Sequence, residues 1–183
     1  MVTTNDKELY KKLCLYRTHG ITKDVALLHE NHGGWYYEMQ ELGFNYRMTD
    51  FQAALGVSQL SRANTGLSRR QEIANRYDEA FQDVQGIKIP CRAGNVYHAF
   101  HLYVIQVEDR LGLYNYLRAN KILAQVHYVP VHLQPYYREL GNKSGDCPVA
   151  EEYYKHCLSL PMYPTLTDEE QQYVIDSVLA FMQ

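Results

Sequence analysis

The chain has 183 residues, with 18 Lys and Arg against 21 Asp and Glu for a net charge of −3; it is long enough for one or two small domains and carries no basic stripe for nucleic acid. No apolar run approaches the ~18 residues of a spanning helix and the opening residues lack a signal-peptide pattern, so a soluble cytoplasmic protein with no membrane partner is expected. Cys14, Cys91, Cys147 and Cys157 form neither a C-x-x-C pair nor a disulfide framework and are expected as reduced thiols.

Met1 to Thr4 has the look of a short strand, and Asn5 with Glu8 has capping-box spacing before the stripe Leu9, Leu13 and Tyr16. Gly20 ends that helix. A strand and one helix cannot form a stable sheet by themselves, so a preceding segment is expected. From Thr22 to Gly34 periodicity is lost and a loop is predicted.

The stretch Gly43-Phe44-Asn45-Tyr46-Arg47-Met48-Thr49-Asp50-Phe51-Gln52-Ala53-Ala54-Leu55-Gly56 joins an extended run to a helix. Asn45 and Arg47, two apart on a backbone rising about 3.3 Å per residue, project from the same side. Thr49 is placed to cap the helix, with Asp50 in its first turn. A donor amide, a guanidinium and a helix N-terminus together suit a phosphate or carboxylate. Such residues are also the ordinary stuff of turns and caps.

The helix from Thr49 carries Ala53, Gly56, Val57 and Leu60, and a second carries Ile73, Tyr77, Ala80, Phe81 and Val84 on one face. Gly86 to Asn95 is the most turn-rich linker, which puts the domain boundary there: residues 1–86, then 87–183. Beyond it, residues 101–107 predict a strand, Asp109 caps a helix bearing Leu113, Tyr114 and Leu117, and residues 124–128 predict another strand stopped by Pro130. An irregular region from Pro135 to Pro148 precedes a short helix with Tyr153 and Tyr154. The final helix opens on the capping-box pair Thr167 and Glu170 and buries Val174, Ile175, Val178 and Met182. The result is a small α/β domain of about three strands packed by helices.

His98, His101, His127 and His132 raise the question of a metal site, but no carboxylates are arranged to complete one. Strand alternation points His127 opposite to Tyr128, and Pro130 bends His132 away. No metal is expected.

The Gly43–Gly56 stretch closely resembles a segment of the pyridoxal-phosphate-dependent sugar aminotransferases of the DegT/DnrJ/StrS group. So do His101-Leu102-Tyr103, the run from Gln125-Val126-His127-Tyr128 through Gln134-Pro135-Tyr136-Tyr137, and Leu158-Ser159-Leu160-Pro161-Met162-Tyr163-Pro164, in the family's order. The resemblance covers essentially the whole chain. Gln125-Val126-His127-Tyr128 is most similar to members acting on UDP-4-keto-6-deoxy-hexosamines.

The resemblance implies the C-terminal part of a fold-type I transferase, the end of its large domain plus the small α/β domain, without the N-terminal cofactor-binding sheet. It implies pyridoxal 5'-phosphate as cofactor, glutamate and a nucleotide sugar as substrates, and a homodimer with shared active sites. In this reading Asn45 reaches across the dimer interface to the cofactor phosphate of the other subunit, Arg47 sits at the rim of that site, and His127 and Tyr128 line the mouth where the sugar enters. A satisfied structural role for His127 stands beside that reading. None of Lys7, Lys11, Lys12, Lys23, Lys88, Lys121, Lys143 and Lys155 lies in the family's lysine context, so the Schiff-base lysine is expected upstream and this chain alone is expected to be inactive. A sugar dehydratase of the same family, with histidine for that lysine, and a non-catalytic dimerisation module are the alternatives.

Overall fold

The computed structural model describes residues 2–183, and the chain divides into two compact units, Met1–Ser61 and Arg62–Gln183. In the first, helix α1 (Lys7–Tyr16) is capped by Asp6, whose Oδ1 accepts from Glu8 N at 2.9 Å and Leu9 N at 3.1 Å. The cap is thus one residue later than the Asn5 expected from spacing, because Asp6 reaches the orphan amides of the first turn. Residues 2–4 are irregular, so they do not form the expected strand, and Met1 lies outside the described residues.

After α1 the chain reverses through His19 and Gly20, both at positive φ. It enters a hairpin that periodicity did not reveal: β1 (Ile21–Thr22) pairs antiparallel with β2 (Glu38–Met39). The loop between them is gathered by Glu38, which accepts from the backbone amides of His29 and Glu30, from Tyr36 Oη and from Gln40 Nε2. These donors, the His29 amide foremost, hold its carboxyl down at about 2. Helix α2 (Asp50–Ser61) closes the unit and buries none of its residues.

The second unit is built on a three-stranded antiparallel sheet in the order β3 (Ile87–Lys88), β4 (Tyr103–Val107), β5 (Cys157–Leu160). In β4 the residues Tyr103, Ile105 and Val107 face the core while Val104 and Gln106 are half-buried, the period-2 pattern of a one-sided strand. Every residue of β5 is buried. Around the sheet pack α3 (Ala63–Phe81), α4 (Arg110–Ala119), α6 (Pro148–His156) and α7 (Asp168–Met182), while the short α5 (Pro135–Glu139) buries no residue and lies against the 3₁₀ turn at Val131–Leu133. The caps of α4 and α7 are those read from the sequence: Asp109 accepts from Gly112 N, and Thr167 and Glu170 form a reciprocal capping box.

Residues 124–128, expected as a strand, contribute only a single bridge, Gln125 to Ser159. Pro130 and the 3₁₀ turn at Val131–Leu133 take the chain away from the sheet before a ladder can extend. The compact units meet at residues 61 and 62 and not at the turn-rich linker near Gly86. The cause lies in α3, whose apolar stripe of Ile73, Tyr77 and Phe81 is fully buried in the same core as Ile105, Leu117, Leu158 and Val178. Buried polar contacts tie the helix in as well. Gln171 Nε2 donates to Ile73 O at 2.8 Å, and the Arg70 guanidinium donates to Phe100 O at 2.9 Å and Met162 O at 3.0 Å.

Candidate functional site

In the first unit, Asn45 sits on an extended segment pinned to the end of α1. Phe44 N donates to Tyr16 O at 2.6 Å, His19 N donates to Phe44 O at 2.8 Å, and Tyr46 N donates to Arg17 O at 3.0 Å. The Phe44 and Tyr46 rings stack with centroids 5.0 Å apart, which sets them on one side of the segment and leaves the other to Asn45 and Arg47. The approach to this segment needs glycine: a Cβ on Gly43 would overlap the backbone of Gly20.

Asn45 and Arg47 line one open cavity of about 540 Å³ together with Met48, Thr49 and Asp50. Thr49 opens α2 with a reciprocal box: Thr49 N donates to Gln52 Oε1 at 3.0 Å and Gln52 N to Thr49 Oγ1 at 3.3 Å. The arginine ion pairs among the described residues belong to Arg69, Arg76 and Arg92, so Arg47 keeps its guanidinium for another partner. An amide, an uncommitted guanidinium and a helix entrance fit the phosphate end of a coenzyme such as pyridoxal phosphate. No lysine lines this cavity, so the set suits grip and not covalent attachment.

In the second unit, His127 and Tyr128 lie just past the Gln125 bridge. Their rings meet edge to face with centroids 4.6 Å apart, so they do not point to opposite sides as strand alternation would require. The segment is no strand there, and the period-2 rule does not apply. Tyr128 is exposed and lines an open, mostly apolar cavity of about 590 Å³ with Pro130, Cys147, Pro148, Val149, Ala150 and Tyr153.

Two polar residues that sequence reasoning missed organise this region. Ser159 Oγ stands 2.8 Å from His127 Nδ1. Glu151 binds His132 Nε2 at 2.8 Å and accepts from Ser144 Oγ and Gly145 N, each at 2.8 Å, tying the turn after Tyr128 to the loop before α6. These contacts, that of His132 above all, hold the Glu151 carboxyl down at about 2. With His132 committed to Glu151, no group of three or more His, Cys, Asp or Glu assembles for a metal among the described residues. No helix among them is long and apolar enough to cross a membrane.

The fold is that of part of an α/β transferase, and its relatives say which. The chain belongs to the DegT/DnrJ/EryC1/StrS aminotransferase family, which matches residues 1–179. The spore coat polysaccharide biosynthesis protein SpsC of Bacillus subtilis is 40% identical over 97% of this chain and 48% of its own length. The UDP-4-amino-4,6-dideoxy-N-acetyl-β-L-altrosamine transaminase of Helicobacter pylori is 32% identical over 97% of this chain and 46% of its own. The structure of Helicobacter pylori PseC, an aminotransferase of pseudaminic acid biosynthesis, superposes with a TM-score of 0.84 at 32% identity, covering 98% of this chain and 47% of that one. The chain therefore spans about half the length of the curated relatives it matches, and the match falls on their C-terminal portion.

Proposed function

We propose that residues 1–183 supply the coenzyme-gripping and sugar-facing parts of a homodimeric, pyridoxal-phosphate-dependent nucleotide-sugar aminotransferase, and that the lysine carrying the coenzyme lies outside them. When bound, the coenzyme supplies the electron sink through which an amino group passes from glutamate to a sugar ketone. The residues of this chain bind and orient. Arg47 provides a fixed charge, the Asn45 amide provides directional donors, and the Thr49–Gln52 box holds the α2 entrance where an anion is favoured. Tyr128 offers an exposed aromatic face to the sugar. The observation that carries this reading is the shared cavity of Asn45 and Arg47 at a capped helix entrance. The nucleotide-sugar class rests on the named relative, and the partner is a second copy because α2, at whose entrance these donors stand, exposes Phe51, Leu55, Val57 and Leu60.

The test uses the chain as it stands. Pyridoxamine phosphate binding is followed by fluorescence, and pyridoxal phosphate is added, reduced with borohydride and mapped by mass spectrometry, with sedimentation velocity in parallel. The expected result is a dimer, no single labelled lysine, and a loss of about 10- to 100-fold in pyridoxamine phosphate affinity in the Asn45→Ala, Arg47→Ala double variant, the worth of a charge-assisted hydrogen bond. Specific labelling of one lysine here, or equal affinity in the double variant, refutes the reading.

A further inference from the structure

Ser159 lies in β5 with 4% of its surface exposed. Its backbone is committed to Gln125, donating to Gln125 O at 2.7 Å and accepting from Gln125 N at 3.1 Å. Among the described residues its hydroxyl has one partner, His127 Nδ1 at 2.8 Å. A hydroxyl has one proton to give, and in a buried site that proton must find an acceptor. The geometry leaves only the imidazole nitrogen. A ring nitrogen that accepts carries no proton of its own, so a neutral ring accepting at Nδ1 would carry its proton on Nε2. Nε2 makes no hydrogen bond among the described residues, and the ring stands half-buried against the exposed face of Tyr128.

We propose that Ser159 is a positioning residue that holds His127 as its Nε2–H tautomer, so that His127 meets its ligand as a hydrogen-bond donor to an oxygen and not as a base. The ligand class, a sugar nucleotide rich in phosphate, hydroxyl and carbonyl oxygens, rests on the function proposed above. The tautomer does not. An Nε2–H donor beside an aromatic ring suits an oxygenated sugar whose C–H face lies on Tyr128. The same donor would hold an oxygen in place without withdrawing a proton from the substrate.

The experiment is two-bond 1H–15N correlation on the chain labelled with 15N-histidine at neutral pH, with His127 assigned from the signals lost in His127→Gln. The parent is expected to show a pyridine-like Nδ1 and a pyrrole-like Nε2. A free imidazole exchanges between tautomers with the Nε2–H form in the majority, so Ser159→Ala is expected to move both signals toward the average without inverting them. Ser159→Thr, which keeps the hydroxyl, is expected to restore the parent pattern. A proton on Nδ1 in the parent, or a Ser159→Ala spectrum identical to it, overturns the assignment without reference to catalysis. UDP-N-acetylglucosamine is then titrated in, and a downfield shift of the Nε2 proton is expected. Its absence, with the tautomer found as stated, removes the sugar-nucleotide assignment of the donor and leaves the role of Ser159 standing.

Discussion

Replacing Gly43 by alanine tests whether the crossing between the end of α1 and the segment before Asn45 positions the site. A Cβ there would overlap Gly20 N most severely and would stand 2.5 Å from the His19 carbonyl carbon and 2.9 Å from Gly20 Cα, where ordinary contact begins at 3.4 Å. All three obstacles are backbone, so the two segments must part by more than about 0.9 Å, the shift the His19 carbonyl carbon alone requires. The flanking bonds, His19 N to Phe44 O at 2.8 Å and Phe44 N to Tyr16 O at 2.6 Å, would then exceed hydrogen-bond length. Two bonds at about 0.5–1.5 kcal/mol each, with an overpacking term of about 1–3 kcal/mol, give a local cost of about 2–6 kcal/mol. At 1.4 kcal/mol per factor of ten, amide exchange at His19, Phe44 and Tyr46 is expected to accelerate at least about tenfold. Pyridoxamine phosphate binding falls with it, because Asn45 loses its anchored backbone. Exchange at these three amides equal to that of the parent refutes the argument.

Glu151 gives a pH signature. Its carboxyl is lowered from 4.5 to about 2 in the folded chain, so the folded state binds its proton less readily than the unfolded one. Its stabilisation is therefore complete above pH 4.5 and is lost as pH falls from there through about 2. Urea midpoints measured across that window are expected to fall less steeply in Glu151→Gln, and parallel curves refute this. Thiol titration separates the cysteines: Cys91 and Cys147 are exposed, whereas Cys157 is fully buried and burial pushes its thiol up. Cys157 is expected to react with a chromogenic disulfide only on unfolding, and rapid reaction in the folded chain contradicts the packing of β5.

What could be read in the residues alone depended on how far apart the interacting groups lie in the chain. The Thr167–Glu170 box, the Asp109 cap and the stripe Ile73, Tyr77, Phe81 all operate within a few residues, and spacing reveals them. The shift of the first cap from Asn5 to Asp6 is an error of one residue, inherent where two good caps adjoin. The unit boundary was not legible, because a turn-rich linker marks where a helix ends and not which core that helix joins. Ser159 and Glu151 gave no signal either: their histidine partners are 32 and 19 residues away, and a serine in an apolar strand or a glutamate in a polar helix is unremarked until the chain folds. Likewise, the alternation expected at His127 and Tyr128 failed once a single bridge replaced a ladder.

Helix α2 carries the argument from fold to assembly. Helix α7 buries Val174, Ile175 and Val178 in the core of its unit and turns its charged residues outward. Helix α2 buries nothing, and its large apolar residues are not confined to one stripe. At 100° per residue, Phe51 and Leu55 lie on one side while Val57 and Leu60 lie on roughly the opposite one. An apolar patch on one side can be covered by one neighbour, but patches on opposite sides need two. A helix of this kind belongs between bodies, not on the outside of one. Asn45 and Arg47 stand at its entrance, so whatever covers α2 decides what those donors can reach. The function proposed above puts a second copy on one side, with its coenzyme facing these donors, and on that proposal the grip on the phosphate and the pairing of subunits become one physical requirement.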